Sequence, residues 1–107
     1  MNDVKDFFKE AHLIDKKFRK SYHKLMSNDQ LDLVPSICKI AINEIDDLLL
    51  DLREMLIYDL NNIQMHQNAL KLKDDLLQYN LSLEYLRMSL MNTDDFNKNI
   101  KETLNWN

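Results

Sequence analysis

Few side chains in these 107 residues could carry chemistry: three histidines, His12, His23 and His66, and one cysteine, Cys38. A zinc site on a helix face wants histidines four apart or a mixed Cys/His cluster, and neither spacing occurs. A di-iron bundle takes Glu-x-x-His from each of two helices, and the chain contains none. No metal and no cofactor is expected. Cys38 has no partner for an internal disulfide and falls between Val34 and Ala41 on an apolar stripe, where a thiol serves as a small hydrophobe. Glycine is absent, which removes the P-loop and Rossmann types of phosphate loop.

Arg19 and His23 lie four apart, one turn along a helix face. The pair resembles the Arg-x(4–6)-His motif of HEPN-fold ribonucleases, which places more residues between the two. Here the spacing is Arg-x(3)-His, so the motif is not met and no ribonuclease activity is carried over. Solvated surface charge is the expectation for both residues. Asp15, between Ala11 and Phe18, borders an apolar stripe. Such a carboxylate either marks the stripe's edge beside a neighbouring Lys or Arg, the commoner outcome, or is buried with a shifted pKa. Asp59 is weighed in the same way. No catalytic residue is assigned, and the chain is expected not to be an enzyme.

The elements that would position these residues are helices. Hydrophobic residues make up 45% and charged residues 30%, too apolar for disorder, and Gly 0 with Pro 1 argues against the tight turns of a β protein. Val4, Phe7, Ala11, Ile14, Phe18 and Leu25 recur at helical spacing, flanked by Phe8 and Tyr22, and predict a helix over about 4–26. Ser27-Asn28-Asp29-Gln30 reads as a polar turn, and Pro35 suits the first turn of the next helix. Val34, Cys38, Ala41, Ile45, Leu48, Leu52 and Met55 then form a heptad seam of the coiled-coil kind.

A second seam runs through Ala69, Leu72, Leu76, Tyr79, Leu83, Leu86 and Leu90, one residue out of phase with the first. One residue is about 100° around a helix. A turn within 59–68 resolves that jump and predicts helices over 34–60 and 63–91. The alternative is one continuous rod dimerising as a coiled coil. Thr93 with Phe96, Ile100 and Leu104 predicts a short last helix over about 94–105. The fold expected is an all-α, antiparallel bundle of three long helices plus that short C-terminal one, a single domain over 1–107.

The charge is uneven along the chain. Residues 1–26 carry seven bases against four acids, and Lys5, Lys9, Lys16, Lys20 and Lys24 gather opposite the apolar stripe. Residues 34–60 carry six acids against two bases. There, Ile40, Leu50, Ile57 and Tyr58 fall outside the seam, an apolar surplus beside Asp47, Asp51 and Glu54. That combination points to a protein-binding surface made of Asp47, Leu50, Asp51, Glu54, Ile57 and Tyr58.

The function expected is a non-enzymatic protein-binding module: a small acidic inhibitor, adaptor, chaperone or other regulator acting by surface occlusion, as a homodimer. Small size and an AT-rich composition suit a phage- or plasmid-borne regulator of a host machine, such as a counter-defence protein. The alternative is nucleic-acid binding through Lys16, Lys17, Arg19, Lys20 and Lys24. Phe18 belongs to the core stripe and Tyr22 flanks it, so neither aromatic is expected to stack on bases. Residues 1–10 lack the apolar run of a secretory signal, and no stretch of 18 apolar residues occurs, so a cytoplasmic protein off the membrane is expected.

Overall fold

A computed structural model describes residues 4–58 and 63–91. Among them the chain is helical and has no strand: α1 (Val4–Ser27), a single 3₁₀ turn (Leu31–Leu33), α2 (Val34–Tyr58) and α3 (Ile63–Met91). The periodic stripes therefore become helices within a residue or two of the expected bounds. Asp59 and the helix expected over about 94–105 lie outside the described residues.

How α1 stops is a consequence of the missing glycine. The Gln30 N–H donates to the Leu25 carbonyl at 2.8 Å and the Asp29 N–H to the Met26 carbonyl at 3.2 Å, a Schellman closure. Such a closure needs one left-handed residue, which is usually glycine. Asp29 takes that place with φ 56°, tolerated because its short polar side chain suits the left-handed region better than most. The Leu33 N–H then reaches the Gln30 carbonyl at 3.1 Å, forming the 3₁₀ turn that leads into α2. Pro35 sits in the first turn of α2, where its missing N–H costs no helical bond.

Burial follows the seams. In α2, Val34, Cys38, Ala41, Ile45, Leu48 and Leu52 are buried, and Leu49 joins them from outside the predicted seam. Its inclusion has a physical reason: α2 packs against both α1 and α3, so a wider arc is covered than one seam provides. From α3 come Ala69, Leu72, Leu76 and Leu83, and from α1 Val4, Phe7 and Ile14. These residues, with most of those of α2, make one continuous core. Phe8, expected at the flank of the α1 stripe, is exposed.

One cross-helix contact decides the rod question. Asp46 on α2 accepts a 2.8 Å hydrogen bond from Asn80 on α3, 34 residues away in sequence. One continuous rod would hold them about 51 Å apart. α2 and α3 are therefore separate helices lying side by side. On the other side, Lys17 of α1 reaches Glu44 of α2 at 2.9 Å. No described helix is long and apolar enough to cross a membrane.

Candidate functional site

The outward face of α2 is the first candidate. Leu50, Ile57 and Tyr58 remain 59%, 65% and 84% exposed, against full burial of Ile45 and Leu52 on the same helix. At 100° per residue, Asp47, Leu50, Glu54 and Ile57 point away from the core, with Asp51 and Tyr58 at the margin. Asp47, Asp51 and Glu54 are exposed, and none holds a salt bridge among the described residues. All six residues singled out in sequence thus share one solvent-facing strip of three carboxylates and three large apolar side chains. Ile40, grouped with them by sequence, instead lines a shallow cleft of about 70 Å³ against Ile14 and Phe18 of α1.

The basic run on α1 is divided by the fold. Lys17 is drawn towards α2 by Glu44, and the Arg19 Nε donates to both carboxylate oxygens of Asp15 at 3.0 Å. Exposed pairs of this kind contribute about 0–1 kcal/mol each, but they do occupy the charges. Lys16, Lys20 and Lys24 remain exposed with no such partner among the described residues. Phe18 stacks on Tyr22 with ring centroids 6.0 Å apart, and His23 meets the edge of Tyr22 at the same separation. Those three rings are in contact with one another.

A third place was only half visible in sequence. Asp15, Arg19, Tyr22 and His23 of α1 meet Tyr79 and Leu86 of α3 around an open groove of about 250 Å³. Asp15 is therefore an edge residue paired with a local Arg, the commoner of its two expected outcomes. Tyr79, read as a seam residue, turns its hydroxyl into this boundary beside Asp15, where the oxygen is shut off from solvent. Burial pushes the hydroxyl well above the ordinary tyrosine range, and the neighbouring Asp15 carboxylate adds to the shift. The phenol stays protonated and the carboxylate is held by Arg19.

The Tyr79 shift has a sign that can be checked. An acid whose pKa is raised by folding contributes stability that is complete below its unfolded pKa and lost as pH rises beyond it. The melting temperature is therefore expected to fall as pH climbs past about 10, and Tyr79→Phe should flatten that limb. An alkaline limb of unchanged slope in the variant would place the ionisation on another group.

Two other places hold titratable groups shifted by their packing and partners. Burial raises the Cys38 thiol, so it persists as a protonated, solvent-shielded hydrophobe. Arg87 bonds Glu84 one turn back on α3, through Nε at 3.1 Å, and holds that carboxyl below its usual range. Among the described residues, no three His, Cys, Asp or Glu side chains gather closely enough to hold a metal ion.

No protein-family model, curated protein or solved structure matches this chain. What it does must be argued from its own surfaces.

Proposed function

We propose that the chain is a non-enzymatic protein-binding module, an acidic helical inhibitor or adaptor that works by covering a basic surface of another protein. One observation carries the reading: the outward face of α2 holds three carboxylates that have no salt bridge among the described residues, around the strongly exposed Leu50, Ile57 and Tyr58. Large apolar side chains at the centre of a contact supply most of its energy, and flanking charges choose the partner and speed encounter. Both ingredients stand on one rigid helix, so little order is lost on binding. The scaffold in this proposal is an antiparallel bundle of three helices with a short fourth at the C-terminus. The Lys17–Glu44 and Asp46–Asn80 contacts support the antiparallel order.

Capture from a lysate of the source cells tests the reading. A basic protein should be retained by the wild-type chain and by Lys16→Glu/Lys20→Glu. Retention should drop at least about tenfold with Asp47→Lys/Asp51→Lys or Tyr58→Ala, a loss of about 1.4 kcal/mol or more. The second reading, nucleic-acid binding through α1, is favoured by the unpaired Lys16, Lys20 and Lys24. It requires the opposite pattern: loss with the α1 variant, sensitivity to nuclease, and a steep fall with salt. That pattern would replace the protein-binding reading.

A further inference from the structure

The described outer side of α3 is apolar as well, which the one-stripe-per-helix reading of the sequence did not anticipate. Ile63 is 76%, Leu81 63% and Tyr85 79% exposed, and Leu70 and Met88 are also exposed. At 100° per residue these five fall within an arc of about 60°, on the side opposite the buried Ala69, Leu72, Leu76 and Leu83. The ridge runs about 37 Å along the helix. A helix apolar on two opposite faces is one that has something packed on both.

Charge selects the occupant. Two copies of one chain meet through the same patch, so a patch of one sign repels itself. That disqualifies the basic face of α1 and the acidic face of α2. Residues 63–91, in contrast, carry Lys71, Lys73 and Arg87 against Asp74, Asp75 and Glu84, a net charge of zero. The spacing is self-complementary too. Ile63 and Met88, and likewise Leu70 and Leu81, are equidistant from a midpoint between Asp75 and Leu76. In a two-fold antiparallel crossing Ile63 would face Met88 and Leu70 would face Leu81 of the second copy, while Asp74, which lies within the same arc, would face Leu77, and Tyr85 would face His66. Three polar neighbours at the flank are satisfied within their own helix: Ser82 donates to the Gln78 carbonyl, Ser89 to the Tyr85 carbonyl, and Gln64 to Asn68.

We propose that this α3 ridge is the homodimer interface, formed by two copies of the chain packing α3 against α3 in antiparallel register, which leaves the acidic strip of α2 for a different protein. The full chain, measured by light scattering across micromolar concentrations, should show twice the 12.9 kDa of one chain. The mass should persist in about 0.5 M salt, where charge-held contacts are screened. Leu70→Lys and Leu81→Glu alter exposed positions, so helix content should be unchanged while dimer affinity falls at least about a hundredfold for each.

Mixing the two variants in equal amounts should restore the double mass, because the new lysine of one copy then faces the new glutamate of the other. A wild-type chain at single-chain mass overturns the proposal, whatever then covers the ridge. So does a dimer that tolerates both α3 variants, or one that breaks only in Ile57→Asp/Tyr58→Asp. Failure of the mixed pair to recover would overturn the antiparallel register. None of these outcomes depends on the lysate capture, so the α2 reading and the α3 interface can fail separately.

Discussion

Leu52→Ala is expected to lower the unfolding free energy by about 3 kcal/mol, read from urea midpoints at constant m. Leu52 is fully buried and sits in the cluster with Leu48, Leu49, Leu72 and Leu76. Truncation removes the transfer free energy of its branched tip and leaves a gap that rigid helices close only in part. In a domain whose whole stability is about 5–15 kcal/mol, that is a severe loss. Leu50→Ala, two residues away on the exposed side, should stay within about 0.5 kcal/mol of wild type. A loss under about 1 kcal/mol at Leu52 would mean that the helices collapse readily over the gap and that the core is not centred on α2.

That contrast between Leu50 and Leu52 was legible in the sequence, and the reason is specific. A heptad seam holds one face in register along a helix, so Val34, Cys38, Ala41, Ile45, Leu48 and Leu52 are buried as the spacing predicts, while Met55, the last member of that seam, is half-buried. The phase jump between Met55 and Ala69 was equally informative, because a one-residue slip turns an apolar face by about 100° and a rod cannot hide both halves. Leu49 was not marked, since its burial depends on α2 having two neighbours rather than one. The Asp29 closure was invisible for a different reason. Sequence rules look for glycine at a left-handed cap, and a chain without glycine gives that place to a residue that reads as an ordinary turn.

The candidate surfaces were less evenly readable. The strip on α2 stood out because its apolar residues fall off the seam and carboxylates surround them. On α3 the outer ridge was hidden by the same periodicity that reveals cores. With leucines on both sides, the apolar pattern loses its contrast, so the spacing marks the inner seam and leaves Ile63, Leu70 and Leu81 unassigned. Local charge pairs follow the same division. Asp15 and Arg19 are four apart and could be paired from spacing alone, whereas Lys17–Glu44 and the approach of Tyr79 to Asp15 exist only once separate helices are side by side.

The packing of α1 leads to a prediction of comparable size. Only Val4, Phe7 and Ile14 of its side chains are fully buried, and its contacts with α3 are sparse beside those that join α2 to α3. Phe7 is the largest of the three, so Phe7→Ala is expected to cost about 3–5 kcal/mol. Such an imbalance implies an order of opening: α1 should detach before the α2–α3 pair separates. Native-state hydrogen exchange reads this directly. In the wild-type chain the α1 amides should exchange faster than those of Leu48, Leu52 and Leu76. In Phe7→Ala the α1 amides should accelerate by at least about a hundredfold, since each 1.4 kcal/mol is a factor of ten. Equal exchange free energies along all three helices in the wild-type chain would show one cooperative unit instead, and α1 would then be as firmly held as the pair it packs against.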